Sequence, residues 1–344
     1  MSEPTILGTL YVITADAFLG IDHDAVRVEL EGEPTRTIPL MGIDGVVATG
    51  PRALSTRLIE RMVQTGRDLT LLDRHGGFLA RVAGPTGGSV HLRLAQYRTA
   101  GEPDELAIAR NVVLAKLQNS RGLLRRRARD ADTPRQVTLT STADSLSSVI
   151  EAATAAPTLD ALRGAEGDGA RRYFAGFRAM ITRSGRAFTL DRRERRPPRG
   201  RMNALLSYLY TMLTREAVAA IEAVGLDPQV GYLHALRPGR PSLALDLVEE
   251  LRAPLADRLA LSLVNRRELG EEDFEVQPGG AVYLTQGGRR VVNRAWAEHR
   301  QERVRHALLR EDVPWGLVAH VQARLLARHL RGDLATYPAF LAPS

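Results

Sequence analysis

Four side chains carry the chemistry this sequence can offer. Glu166 stands in Leu162-Arg163-Gly164-Ala165-Glu166-Gly167, and His234 ends Gly231-Tyr232-Leu233-His234. Asp246 and Glu249 share Leu243-Ala244-Leu245-Asp246-Leu247-Val248-Glu249-Glu250. Carboxylates and an imidazole from three separate segments can close on one divalent cation. Such a cation beside a polyanion-binding surface points to phosphodiester chemistry on nucleic acid. Each piece also has a plainer reading. Glu166, between glycines, can be a loop acid in water. His234 follows a short apolar run, reads as a strand end before a loop, and can be a satisfied core histidine. Asp246 and Glu249 are three apart and share a face if they begin a helix. Pro241-Ser242 is the cap region that such a start needs, but acids in a first turn also simply favour the helix dipole. Glu250 faces elsewhere and reads as solvated. The other seven histidines have no comparable setting.

The motif inventory excludes more than it grants. There is no HExxH, CxxC, P-loop or GxSxG pattern, so spacing alone stops at a metal-dependent hydrolase or transferase. The absence of cysteine excludes disulfides, zinc–thiolate sites, iron–sulfur clusters and thiol nucleophiles, and fits a reducing cytoplasm. Met1-Ser2-Glu3-Pro4 opens no secretory signal, and no apolar run is long enough for a transmembrane helix, so no membrane association is expected.

Basic residues outnumber acidic ones, 47 to 40. Lys116 is the sole lysine; the other 46 are arginines. A GC-rich coding bias explains arginine over lysine but not its clustering. Arg121, Arg125, Arg126, Arg127 and Arg129 form one run. Arg183, Arg186, Arg192, Arg193, Arg195, Arg196, Arg199 and Arg201 form another, interrupted only by Asp191 and Glu194. Guanidinium forks suit phosphate oxygens, although such runs are as often solvated surface. Aromatics make up only 5%, too few for base-stacking platforms, so backbone contacts to double-stranded DNA are expected to dominate.

The elements that must position these groups divide the chain. Residues 1–85 read as a β-rich domain. Val26, Val28 and Leu30 alternate with polar neighbours, and strand-like runs recur at 9–13, 35–40, 45–48, 69–72 and 78–82. Asp22-His23-Asp24, Gly32-Glu33-Pro34 and His75-Gly76-Gly77 read as turns. One helix carries Leu54, Leu58 and Met62 on a stripe. Gly84-Pro85-Thr86-Gly87-Gly88 is the candidate boundary. Residues 89–344 read as a larger, mainly α-helical domain. Helical spacing runs from 92 to 117 with a break at Gly101-Glu102-Pro103, then over 123–129, 146–153, 254–267 and 321–330. The segment 202–224 is apolar on most faces and stops at Gly225; Arg215, Glu216 and Glu222 make it a core helix rather than a membrane span. Gly279-Gly280 and Gly287-Gly288 suggest a β-hairpin over 277–292, and 191–200 reads as a loop. The fold class expected is α+β.

The words themselves are familiar in this order: Leu162–Gly167, Asn203-Ala204-Leu205-Leu206-Ser207, Gly225-Leu226-Asp227-Pro228 leading to Gly231–His234, and Ser242–Glu250. Together they resemble the CRISPR adaptation integrases, the CRISPR-associated endonuclease family "Cas-one". Thr9-Leu10-Tyr11-Val12 and the tail Val321–Arg328, Leu330-Arg331-Gly332-Asp333 and Tyr337-Pro338 resemble its type I-C branch. The resemblance covers nearly the whole chain. It implies a β-rich N-terminal domain that dimerises and a helical C-terminal domain that holds the metal. It also implies a homodimer bridged by a small partner dimer ("Cas-two"). The implied activity is insertion of foreign DNA fragments into a repeat array, by 3′-hydroxyl attack on a phosphodiester. By motif, the family's metal-binding residues fall on Glu166, His234 and Glu249, where the family often has aspartate at the last position. Asp246 matches a further acid close to the metal and reads as orienting His234 or a metal-bound water. The implied cation is Mg²⁺ or Mn²⁺. Two other readings remain open: a catalytically silent DNA-binding scaffold, and a stand-alone nuclease or transposon integrase of the same kind.

Overall fold

The computed structural model describes residues 5–6, 9–14, 16–43, 45–73, 78–82, 89–194 and 197–343. In the N-terminal part the strands are β1 (Thr5–Ile6), β2 (Thr9–Val12), β3 (Phe18–Asp22), β4 (Ala25–Glu29), β5 (Arg36–Pro39), β6 (Gly45–Thr49), β7 (Ala53–Leu54), β8 (Asp68–Leu72) and β9 (Phe78–Val82). A single helix, α1 (Thr56–Gln64), separates β7 from β8. They build a five-stranded sheet in the order β1-β2-β6-β8-β9 and a four-stranded sheet in the order β5-β4-β3-β7. In the larger sheet, β2/β6 and β6/β8 are parallel.

Alternation along the parallel strands assigns each residue a side. Leu10, Val12, Val46, Ala48 and Leu69 turn toward the smaller sheet, where Leu19, Val26, Val28 and the α1 residues Leu58 and Met62 complete one core. Tyr11, Val47 and Leu72 turn the other way, into the core of the helical part. That explains why β2 and β6 are buried along their whole length. Strand β3 was not anticipated, because Phe18–Asp22 leads straight into the Asp22-His23-Asp24 turn. The suggested boundary at 84–88 and the His75-Gly76-Gly77 turn lie outside the described residues.

The helical part opens with α2 (Ser89–Thr99), α3 (Pro103–Arg129), α4 (Thr133–Ala155) and α5 (Leu159–Phe177). Pro103, in the first turn of α3, explains the break seen in the sequence. The expected separate helix over 123–129 is the last two turns of α3. Helix α6 (Arg201–Ala223) runs through the centre and ends where Gly225 adopts φ 81°. Its buried Glu216 receives the Trp296 indole N–H at 2.7 Å and pairs with Arg300 at 3.0 Å.

Next come α7 (Ser242–Glu249), a π-helical turn over Arg252–Asp257, and α8 (Arg258–Asn265). The chain then forms the hairpin β10 (Phe274–Val276) and β11 (Val282–Leu284), α9 (Gln286–Gln301), a second hairpin of β12 (Arg303–His306) and β13 (Glu311–Pro314), and α10 (Trp315–Leu330). The hairpin expected over 277–292 is therefore corrected. Its glycine pair 287–288 opens α9, where the Thr285 hydroxyl accepts from Gly288 N–H at 3.1 Å. Gly288 must be small because a Cβ there would stand 2.3 Å from the Asp273 carbonyl oxygen, not because the chain turns there.

Candidate active site

Helices α3, α5 and α7 and the segment joining α6 to α7 supply the site. The joining segment is irregular, so His234 does not end a strand as expected. Its backbone is pinned instead. The Gln96 amide on α2 donates to the Asp227 and Val230 carbonyls at 2.8 and 2.9 Å and accepts from Asp227 N–H at 2.9 Å. Arg163 on α5 donates to the Leu233 carbonyl at 2.8 Å.

The decisive anchor is Asp246. Its carboxylate is buried and accepts three consecutive backbone N–H groups, from Tyr232, Leu233 and His234, at 2.6, 3.0 and 2.9 Å. Its Oδ1 also meets His234 Nδ1 at 2.7 Å. A carboxylate only accepts, so Nδ1 carries a proton, and in the neutral imidazole it is Nε2 that has the lone pair. Gly231 makes the wrap possible: a Cβ there would stand 2.6 Å from Asp246 Oδ2 and 2.8 Å from the Leu243 backbone nitrogen. Asp246 thus orients the imidazole, and four hydrogen bonds occupy its two oxygens.

Glu249, at the end of α7, is almost wholly buried, and His234 Nε2 lies 3.9 Å from its Oε1. Arg252 reaches the same oxygen at 2.6 Å. Glu166 comes from the middle of α5, so it is a helical residue and not a loop acid. Between the two glutamates sits Lys116 of α3. Its ammonium pairs with Glu166 Oε1 and, at 2.7 Å, with Glu249 Oε2. Burial pushes the Glu249 carboxyl up, but Arg252, then Lys116 and His234, outweigh it and hold the group well below the usual carboxylate range.

The local folding behind this geometry is specific. Pro254 has no N–H to give the Glu250 carbonyl four residues back, so the helix widens after Glu249. The freed carbonyl is taken by the Asn119 side-chain amide at 2.7 Å, one turn along α3 from Lys116. Across the site, Gly169 of α5 faces Leu117 of α3, and the lack of a side chain lets the helices approach until Lys116 meets Glu166.

Two carboxylates thus share one ammonium, His234 Nε2 lies 3.9 Å from one of them, and this set of donor types suits a hard divalent ion. Among the described residues no three His, Cys, Asp or Glu side chains already form a metal cage. An ammonium stands at the centre in its place. The residues fit the ion by chemistry and charge, with one endogenous cation to displace.

The family model for CRISPR associated protein Cas1 matches residues 10–298. The chain belongs to the Cas1 family. It is 47% identical over 338 residues to the CRISPR-associated endonuclease Cas1 1 of Moorella thermoacetica, with 98% of each chain covered. Its fold is similar to that of the Cas1 protein TM1797 of Thermotoga maritima, with TM-score 0.75 and 25% identity over 94% of this chain and 96% of that one. It is also similar to a chain of a partial Cas6-RT-Cas1–Cas2 complex, with TM-score 0.79, 22% identity and 97% and 98% covered. A casposase bound to integration product shares the fold with TM-score 0.76, 20% identity and 95% and 96% covered. The Cas1 family and the α+β architecture expected from the motifs are thus established.

Sequence reasoning named Glu166, His234, Asp246 and Glu249 and missed Lys116 and Arg252 at their centre. The only signal available for Lys116 was its being the sole lysine. Behind Arg252, Tyr173 and Tyr210 donate to the buried Asp257 at 2.8 and 2.6 Å, and burial pushes that carboxyl up to about 6.

The two arginine runs differ. Arg121, Arg125, Arg126 and Arg129 line a cavity of about 490 Å³, which Arg258, Arg303 and Arg305 join from across the helix. Burial, then repulsion from Arg258, holds the neighbouring Arg127 guanidinium below its ordinary value. The second run is in good part internal bracing. Arg193 donates to Asn203 and Ser207 at 3.0 Å each and lies over the Tyr210 ring, and Arg201 pairs with Glu271 at 2.7 Å. Arg195 and Arg196 lie outside the described residues.

Proposed function

We propose that this chain is the DNA integrase and endonuclease of CRISPR adaptation, joining foreign DNA fragments to a repeat array through 3′-hydroxyl attack on a phosphodiester. The observation that supports this reading is that Glu166 and Glu249 share the Lys116 ammonium while His234, held by Asp246, lies 3.9 Å from Glu249. The 47% identical relative is an endonuclease by name, and a casposase bound to integration product shares the fold.

Glu166, Glu249 and His234 Nε2 would hold the ion, Mg²⁺ or Mn²⁺. Such an ion, when bound, polarises a phosphodiester and offsets charge on its leaving oxygen. The protein's own contribution is placement. Asp246 holds the His234 ring in place, Arg252 fixes one Glu249 oxygen, and burial keeps water from the Glu249 carboxylate. The arginines around the α3 cavity would grip strand phosphates without reading bases. We further propose a homodimer joined by a Cas2 dimer, a fit to the type I-C branch supported by the 9–12 and 321–338 segments, and a cytoplasmic setting. Among the described residues no helix is long and apolar enough to cross a membrane.

The test is integration of a labelled duplex into a repeat-bearing plasmid. Chelator, Glu166→Ala, His234→Ala or Glu249→Ala should each lower strand transfer by about 10³-fold or more while duplex binding persists. Retained transfer in all three variants would refute the reading.

A further inference from the structure

A chain with 46 arginines has one lysine, and that lysine is buried between the two glutamates of the candidate metal site. Elsewhere arginine serves every cationic role, so coding bias does not account for position 116. The chemistry of the place does. A planar guanidinium needs room for its fork, whereas an ammonium is a compact point charge of nearly ionic size. Its compact charge reaches one oxygen of Glu166 and one of Glu249 at once, while Arg252 already takes the other Glu249 oxygen.

The contacts also set a conflict. Lys116 Nζ touches one oxygen of each glutamate. A divalent ion held by those same oxygens would compete with Nζ for them, and two cations held that close repel strongly in a buried setting. The carboxylates cannot hold both. Without any cation, Glu166 and Glu249 would face each other as like charges.

We propose that Lys116 is a displaceable place-holder for the catalytic cation: it holds Glu166 and Glu249 in register before loading and gives up that place only when DNA supplies a phosphate to receive its ammonium. This rests on the metal-site reading above. Lys116 is then a positioning residue that couples two ligands. Its withdrawal costs the pairing with both glutamates, and a phosphodiester at the mouth of the site, where Glu166 and His234 are partly exposed, offsets that cost. DNA and the divalent ion therefore bind cooperatively, and by linkage the coupling runs both ways. The protein by itself is a poor metal binder, which keeps the nuclease chemistry silent until a strand is seated.

The experiment is Mn²⁺ binding followed by the electron paramagnetic resonance signal of the free ion, on the full chain, with and without a short DNA duplex. In the wild type, duplex should raise Mn²⁺ affinity about tenfold. In Lys116→Met, Mn²⁺ should bind the DNA-free protein about tenfold more tightly than wild type, and the effect of duplex should vanish. Equal or weaker Mn²⁺ binding by folded Lys116→Met would overturn the proposal and leave the metal assignment standing. Binding to neither protein, with or without DNA, would overturn both.

A second measurement needs no variant. As the sole lysine, Lys116 gives a single lysine-modified peptide with an amine-reactive reagent, resolved from that of the terminal α-amine by mass spectrometry. Its labelling should change several-fold when Mn²⁺ and duplex are added together, relative to duplex alone, and little with Mn²⁺ alone. Unchanged labelling in the presence of both would also overturn the proposal.

Discussion

Among the described residues, the β-rich region buries Thr9, Thr49 and Thr70 as its only polar side chains, whereas the helical region buries Lys116, Glu216, Asp246, Glu249, Glu250 and Asp257. The charges of the first region sit at its surface, as in the Arg61–Asp24 pair, where Arg61 Nε lies 2.9 Å from the carboxylate. Those of the second are matched inside: Glu216 with Trp296 and Arg300, Glu249 with Lys116 and Arg252, Asp246 with three backbone N–H groups. Burying an ion is costly unless it is paired. Lys116, Glu166, Glu249 and Arg252 gather such pairs around one spot, which a core built for stability alone does not need. The comparison separates a scaffold from a site.

The largest stability effect belongs to the scaffold. Leu58 is fully buried between the two sheets, so Leu58→Ala should cost about 2–5 kcal/mol in urea unfolding while Mn²⁺ affinity of the folded protein is unchanged. A parallel fall in metal affinity would show that the two regions are not separable.

A pH effect comes next, and it belongs to the helical region alone. Burial pushes Glu250 up to about 7, against the hydrogen bonds it accepts from Tyr337, Phe340 N–H and Gln322, and it pushes Asp257 up to about 6. A carboxyl raised in the folded state takes its proton there before the unfolded chain does. Its contribution to stability is therefore full below about pH 4 and is lost as pH rises toward 7. For Glu250 that amounts to up to about 3 kcal/mol. Buried His299, His306 and His320 are held below the ordinary imidazole value and oppose that trend, so urea unfolding from pH 4.5 to 8 should show the Glu250 contribution as a difference in slope between the wild type and Glu250→Gln. An equal slope in the variant would remove Glu250 as a contributor.

Asp246→Asn is the sharper probe of the site. An amide cannot accept from three backbone N–H groups and Nδ1–H together, so the imidazole loses its fixed tautomer. Divalent-ion affinity should fall about 10–100-fold in titration calorimetry. An unchanged affinity would mean that Asp246 serves only the backbone. At the small end, Arg61→Ala should change stability by less than about 1 kcal/mol, because the pair is exposed and screened.

What could be read in the sequence follows the same divide. Period-two alternation marks strands such as Ala25–Glu29 because their two faces meet different surroundings. The 202–224 segment and its Gly225 stop mark α6 because a helix end needs a residue that tolerates positive φ. Motif order found Glu166, His234, Asp246 and Glu249. The widened turn after Glu249 was not legible, since a proline in an amphipathic stretch does not announce that Asn119, more than a hundred residues earlier, will take the orphaned carbonyl. Nor was Lys116, whose meaning depends on α3 lying against α5 at Gly169. Long-range pairings of buried charge have no local period to betray them.

The most direct test of the central claim is anomalous diffraction from a crystal of the protein with duplex DNA and Mn²⁺. The account predicts one manganese peak bonded to Glu166, Glu249 and His234 Nε2, with Asp246 still on Nδ1 and the Lys116 ammonium withdrawn. A peak elsewhere on the chain, or an ion held without His234, would contradict it.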